Sequence, residues 1–560
     1  MSFPIKTRIA CNLCRRQKVR CDKAKPACET CRLAGVDCVF TALPQKKTIR
    51  EQLKESWLYT KYLEDTLRRR DDDASSSTIP DLFSPLTFDK SLKIFRWHLQ
   101  HCVPVGITSS QLESIFNFNE FAGQLTAQPP AAIPSANYVE PLWPSRLLVE
   151  QAIEYFTLNR LYAIIPVVES DVLVSLLDAN TFDQNEGSLS AVNKAYLGAF
   201  TALVIQMSHH DLSFTHATPD SYMQAALSLL PQLTLEHSNI RALEALLMMT
   251  LYIAPLGQPQ TAELLLSMAV RILSNLGAYT NENSCPVNES SNREHLRALF
   301  WLCYSIDKEM CLRQCQAPLI SNNDCDLDLP AAYVPLSSKE QFFEYQQDSR
   351  QLLFPTDLRL TIFKSKLYDR LYSHSSLRTP EAIRLRLIRE LDDELHELKS
   401  LFPAACQPEK LISADTPHGT FRDLSMRGVC IHLDYYHCLT KIHGAILVGV
   451  NATKDLSTLS SSLELCYQAA RSTLVYLSRM RYLITTETYW IFAQFLLTAV
   501  LTLYHRLVTQ SDRLDSQADV RILKDTLEIF VQTETNSSPS VPPFTITEAF
   551  IRHLIESLRR

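Results

Sequence analysis

The sequence predicts an all-α protein, with a small cysteine-stapled module at the N-terminus and a large multi-helix body behind it. Three observations predict this. Only 11 of 560 residues are glycine, against a usual share of about 7%. Parallel α/β folds and β-sandwiches need glycine for tight turns and close backbone approach. Leucines and other apolar residues recur at three- and four-residue steps along most of the chain, the spacing of one helix face. Residues 11–38 carry six cysteines and no histidine, in a stretch too short to build much of a hydrophobic core.

The cysteines come first in the chain. They fall at Cys11, Cys14, Cys21, Cys28, Cys31 and Cys38, in the pattern C-x2-C-x6-C-x6-C-x2-C-x6-C, and its two halves match. Chance does not produce such spacing, and the pattern reads as a metal site. A C-x2-C pair sits within one helical turn, so two thiolates can hold one ion from a helix start. Zinc takes four ligands in a tetrahedron, with sulfur at about 2.3 Å. Six cysteines cannot give two ions four private ligands each, so two must bridge. Single-ion fingers with mixed ligands would need histidine, and a RING-type cross-brace would need eight ligands. So short a block must take its folding energy from the metal.

Charge follows the same division. Residues 1–50 hold twelve Lys/Arg and three acidic residues, a local charge of +9, while the net charge of the whole chain is −6. A basic head on an acidic body implies a polyanionic partner for the head. The basic residues concentrate in the first half of the cysteine block and its loop: Arg15, Arg16, Lys18, Arg20, Lys23 and Lys25. In the second half Arg32 is opposed by Glu29 and Asp37. Only the first helix is built to approach phosphates. For any single basic residue the alternative is a solvated surface charge.

The segment from Ala10-Cys11-Asn12-Leu13-Cys14 through Arg20-Cys21-Asp22 to Lys25-Pro26-Ala27-Cys28 resembles the fungal zinc binuclear cluster transcription factors. The resemblance implies two zinc ions per chain, with Cys11 and Cys28 as the bridging ligands. A proline before the fourth cysteine is typical, and Pro26 fits. It also implies that Lys18 reads a CGG triplet in the major groove of double-stranded DNA. Lysine can donate to guanine O6 and N7. Arg15, Arg16, Arg20 and Lys23 are expected to fix the register on the phosphates. For function the resemblance implies a nuclear, RNA polymerase II gene-specific transcription regulator, an activator, working with the transcription machinery.

The domains are expected as the cluster at 1–40, a linker at 41–52, a short dimerisation helix at 53–70 and a partly disordered linker at 71–140. The helical body comes next, with a middle regulatory region at 145–400 and a C-terminal region at 401–560. In 53–70, Leu53, Leu63 and Leu67 follow a heptad-like spacing with Ile49. Family members often carry a coiled coil here that makes a homodimer; the alternative is a helix packed on its own body. The run Asp71-Asp72-Asp73-Ala74-Ser75-Ser76-Ser77-Thr78 is low in complexity, and short helical pieces are expected over 81–140. Beyond Ser145 the apolar spacing predicts helices over 193–209, 239–254, 260–276, 292–314, 380–402, 425–447, 459–480, 485–508 and 545–558. Arg297, Phe300, Trp301, Asp307, Lys308, Pro318 and Ile320 resemble the family's middle region. Its turn is altered, because Ala298, Lys308 and Gln316-Ala317 depart from the usual residues.

No membrane span is expected. The longest apolar stretch, Tyr489 to Tyr504, contains Gln494 and is shorter than the roughly 18–20 residues that cross a bilayer. A buried core helix is the better reading. Sixteen cysteines in an intracellular setting should be thiols or metal ligands. The body shows no Gly-x-Ser-x-Gly, no His-Glu-x-x-His and no phosphate-binding glycine loop, so no enzyme is expected. The histidine groups His209-His210 and His432, His437, His443 read as core or surface residues. A pocket between helices leaves room for a small-molecule inducer, though no sequence pattern demands one.

Overall fold

The computed structural model describes residues 10–39, 88–102, 142–178, 191–208, 211–236, 239–280, 290–343, 351–413, 416–447, 460–485, 487–509, 516–534 and 542–558. The expected dimerisation helix at 53–70 and the pair His209-His210 lie outside them. The chain forms two units, Met1–Leu82 and Phe83–Arg560. Among the described residues there is no strand, only isolated bridges between Tyr333 and Leu352 and between Phe343 and Leu424.

In the first unit two short helices lie in the matching halves of the cysteine block: α1 (Asn12–Arg16) and α2 (Glu29–Ala34). Each begins just after the first cysteine of a C-x2-C pair. Both end with the same hydrogen bond, which turns the chain back on the helix. The Val19 amide donates to the Cys14 carbonyl (3.0 Å), and the Val36 amide donates to the Cys31 carbonyl (3.2 Å). The residue before each of these amides is in the left-handed region, Lys18 at φ 54° and Gly35 at φ 64°. The Asp22 carboxylate accepts from the Glu29 amide at 3.2 Å, capping the N-terminus of α2. The Asn12 amide donates to the Val39 carbonyl (2.9 Å) and ties the two ends of the unit together.

The described body is helical, and several of its helices start at polar caps. Ser145 caps α3 (Arg146–Leu158), and Asn239 caps α4 (Ile240–Ile253), each side chain accepting from the third amide along. Helix α5 (Pro259–Asn275) packs back on α4. Helix α6 (Ser290–Gln314) comes next and carries Arg297, Phe300, Trp301, Asp307 and Lys308. These residues clamp the chain around it. Arg297 donates to the carbonyls of Ala278 (2.9 Å) and Asp326 (2.8 Å). The buried Asp307 carboxylate accepts from the amides of Leu319 (2.7 Å) and Ile320 (3.1 Å). Lys308 pairs with that carboxylate at 3.0 Å and donates to the Ile320 carbonyl. The altered turn is therefore held by α6 side chains.

The C-terminal helices build the larger core. Helix α7 (Met426–Gly444), capped by Ser425, packs on α8 (Ser460–Arg479). Helix α9 (Tyr489–Thr509) packs against α8. By length and composition α9 could cross a membrane, but 83% of its apolar window is buried inside the body. It also carries a buried arginine: Arg506 pairs with Asp519 (2.9 Å) of α10 (Ser516–Glu534) and with Glu464 (3.3 Å) of α8. A 15-residue helix, Phe88–Cys102, lies in the stretch expected to hold short pieces. Its Phe95 packs edge-on against Phe550 of the helix Pro542–Ser557. Gly257 is required where it stands. Its φ is +77°, and a Cβ there would lie 2.6 Å from the Trp490 ring.

Candidate metal centre

The core of the first unit is sulfur. Cys11, Cys14, Cys28 and Cys31 are fully buried, and Cys21 and Cys38 pack beside them. The apolar side chains Val19, Leu33, Val36 and Val39 all face solvent. The fold therefore serves to converge thiols. Two quartets of sulfur atoms form, each within 4.8 Å: Cys11, Cys14, Cys21 and Cys28, and Cys11, Cys28, Cys31 and Cys38. Cys11 and Cys28 belong to both.

The spacings fit zinc. Ligand sulfurs at about 2.3 Å on a tetrahedron stand about 3.8 Å from one another. The Cys11 and Cys28 sulfurs are 3.7 Å apart, those of Cys14 and Cys28 3.7 Å, and those of Cys11 and Cys31 3.5 Å. A disulfide would bring them to about 2.05 Å. Electrostatics point the same way. Burial, with the neighbouring Cys11 sulfur, pushes the Cys31 thiol up to about 11. Cys11 is drawn down to about 6, chiefly by its backbone hydrogen bond with Cys14. Thiols pulled in opposite directions cannot all ionise together unless a cation offsets their charge. Among the described residues no other group of His, Cys, Asp and Glu converges in this way.

The basic residues surround this centre unevenly. Lys18, Arg16, Arg20, Lys23 and Lys25 are all exposed. The side chain of Arg15 lies outside the described residues. Arg32 in the second half faces Glu29 at 4.0 Å, both exposed, so its charge is locally offset. Lys18 and Lys23 both have a left-handed backbone, at φ 54° and φ 59°, and Lys18 also has a counterpart in the other half. It occupies the left-handed position that its counterpart Gly35 fills without a side chain, where an L-residue is disfavoured by about 1–2 kcal/mol. The half-repeat itself holds the signal for this: each position lies four residues after the second cysteine of its pair, and only one of them is glycine.

The described histidines of the body do not form a second centre. His432 is fully buried, with Nδ1 2.6 Å from the Tyr476 hydroxyl and Nε2 2.7 Å from the Cys406 carbonyl. Burial lowers it to about 4, so the ring is neutral, donates to the carbonyl and accepts from the tyrosine. His437 stands edge-on against Phe495, and His443 lies 3.4 Å from Asp392.

Comparison with known proteins agrees with the geometry. Residues 9–47 match the fungal Zn(2)-Cys(6) binuclear cluster domain, and residues 172–399 match the fungal specific transcription factor domain. The chain is 27% identical to an ABC-transporter-regulating transcription factor of Aspergillus oryzae over 344 residues, covering 57% of this chain and 36% of that protein. It is 22% identical to an uncharacterized transcriptional regulatory protein of Schizosaccharomyces pombe over 532 residues, 84% of this chain and 66% of the other. It is 46% identical to the depudecin biosynthesis cluster-specific transcription activator of Fusarium langsethiae over 48 residues, 9% of this chain and 8% of that one. The match to the Aspergillus protein thus spans about a third of that relative's length. A cluster domain of this kind holds two zinc ions, and the six converged sulfurs are suited to them. The chain therefore carries a fungal Zn(2)-Cys(6) binuclear cluster domain followed by a fungal specific transcription factor domain.

Proposed function

We propose that the protein is a nuclear activator of RNA polymerase II genes that recognises CGG-type triplets through its first helix. The observation that carries this reading is exposed Lys18 at the end of α1, in the left-handed, helix-closing position that Gly35 fills in the other half. Strain of this kind persists where a side chain is needed for function, and the matching position in the other half has glycine. In this reading Cys14 and Cys21 complete one zinc site and Cys31 and Cys38 the other, with Cys11 and Cys28 shared. The ions supply folding energy and positive charge. Lys18 then donates to guanine O6 and N7 from the end of α1. Arg15, Arg16, Arg20 and Lys23 bind phosphates and set register without reading sequence. A single triplet carries too little information to address a genome. Two chains paired through residues 53–70 would supply two triplets at a spacing set by the linker.

Selection of bound sites from random duplexes tests the proposal. The wild-type protein should enrich paired CGG triplets at one preferred spacing. Lys18→Ala should bind with a flattened preference, and Arg16→Ala should weaken all sequences alike. Enrichment of an unrelated sequence, or the same triplets recovered with Lys18→Ala, would show that another residue reads the DNA.

A further inference from the structure

The carboxyl-terminal end of α6 and the helices α7, α8 and α9 border a cavity of about 40 Å³, room for about three water-sized groups. Two polar groups in its wall lack the partner that burial demands. Lys441 of α7 is 8% exposed, and among the described residues no carboxylate pairs with it. Its Nζ donates to the Cys315 sulfur at 3.5 Å and lies 5.7 Å from the centre of the Tyr372 ring. The end of α7 offers only partial negative charge. Thr498 of α9 is 4% exposed, and among the described residues its hydroxyl has no hydrogen-bond partner. The neighbouring Thr440 and Thr502 hydroxyls, in contrast, donate to the carbonyls of Tyr436 (2.9 Å) and Thr498 (2.7 Å). A buried ammonium with only a thiol to receive its hydrogen bond and a buried hydroxyl with no partner among the described residues are both costly, and both line the same cavity.

We propose that this cavity binds a small monocarboxylate of two or three carbons. Its carboxylate would sit on the Lys441 ammonium and the Thr498 hydroxyl, and its alkyl end would lie against Leu447 and Leu463. One ammonium matches one negative charge, so dicarboxylates and phosphates bring charge that the wall does not balance. The volume excludes aromatic acids. Burial holds His505, also in the wall, below its usual range, so the ring adds no second positive charge. Cys315 marks the mouth. It is exposed, and it stands at φ 53° just beyond α6, where the Gln316 amide donates to the Cys311 carbonyl (3.2 Å). Its sulfur therefore has a fixed place beside the ammonium. This site does not depend on the DNA-reading proposal.

The test uses that sulfur as a reporter in the full-length, zinc-loaded protein. Iodoacetate and iodoacetamide both alkylate a thiol: the sulfur displaces iodide, the S–C bond forms, and the thiol proton goes to water. Iodoacetate also carries the proposed ligand group. At Cys315, followed by peptide mass spectrometry, iodoacetate should gain about tenfold over iodoacetamide relative to free cysteine, the worth of one charge-assisted hydrogen bond. Acetate and propionate should protect Cys315, while chloride and benzoate at equal ionic strength should not. Lys441→Met should abolish the gain. Thr498→Val, which keeps the side-chain shape and the lysine, should weaken protection and serves if Lys441→Met does not fold. No gain for iodoacetate, or protection by chloride equal to that by acetate, overturns the site. Nitrate protecting better than propionate overturns the carboxylate assignment.

Discussion

Replacing Lys18 by glycine should separate the fold of the cluster from its reading of DNA. The backbone at Lys18 has φ 54°, and the equivalent Gly35 has φ 64° with the same helix-closing hydrogen bond. Glycine relieves a left-handed penalty of about 1–2 kcal/mol. It also adds freedom to the unfolded chain, worth roughly 0.5–1 kcal/mol. The net effect on the cluster is between neutral and about 1.5 kcal/mol more stable. In the proposed reading the same change removes one base-reading donor, a loss of about 1–3 kcal/mol on the correct triplet. It also removes one positive charge, which lowers the salt slope by at most about one unit. Two measurements on one variant decide it. Titration with a chelator reports zinc retention, and hence folding, and competition between CGG and scrambled duplexes reports readout. Lys18→Gly should hold zinc at least as tightly as wild type and lose most of its discrimination. The mirror change Gly35→Lys should weaken zinc retention and gain no readout, because Glu29 already offsets the charge beside it. Zinc loss by Lys18→Gly, or discrimination that survives it, would refute the reasoning.

The same geometry sets further outcomes. In native mass spectrometry the wild-type cluster should carry two zinc ions; Cys28→Ala should disturb both and Cys38→Ala mainly one, because Cys28 lies in both sulfur quartets and Cys38 in one. Replacing Leu53, Leu63 and Leu67 by Asp should abolish binding to paired triplets and leave two zinc ions in each cluster; unchanged stoichiometry on double-triplet DNA would show that 53–70 does not pair two chains. Asp519→Ala should destabilise the body by about 3–5 kcal/mol in denaturant melts, since it removes the fully buried carboxylate that Arg506 and Arg471 share. His432 should make the body acid-sensitive. Its folded value of about 4 lies below the ordinary 6.5 or so, so its contribution is fully present above about pH 6.5 and is lost as pH falls toward 4, by about 2 kcal/mol at pH 5. Comparing pH melts of wild type and His432→Gln isolates this from Asp434, which burial raises to about 6 and which acts in the opposite sense.

Helix placement was largely legible, because cap and spacing agree. Segments read as 239–254 and 425–447 are helices Ile240–Ile253 and Met426–Gly444, each opened by a polar cap the sequence displays. The helices that escaped have buried polar anchors. Helix Ser516–Glu534 is fastened by Asp519, which is fully buried, and a pattern of apolar residues cannot mark a charge as core. Helix Leu358–Leu367 likewise buries Lys364, paired with Asp434 at 2.7 Å and with Glu309. The six sulfurs were legible because a metal site needs one residue type at fixed spacing. The cavity was not, because Cys315, Lys441 and Thr498 come from three distant segments, and none is unusual alone.

The two units thus meet the same demand by opposite means, and the difference bears on function. The body buries charge as well as apolar surface, and neighbours hold buried ions such as Arg506, by Asp519 and Glu464, and Arg427, by the carbonyls of Gln341 (2.9 Å) and Leu353 (2.6 Å). A change at any of these positions costs folding energy, so few of them are free to vary with function. The cluster buries little except sulfur. Where metal supplies the folding energy, the rest of the unit is released from that duty. Its valines and leucine can stand in solvent, its first half can gather positive charge, and a lysine can occupy a backbone position that favours glycine. A hydrophobic mini-domain of about 30 residues could not carry the same strain, since such small cores are already marginal. The strained lysine is tolerable because the adjoining thiolates are metal-bound, which is why DNA reading and zinc retention should part company in Lys18→Gly and fail together in Cys28→Ala.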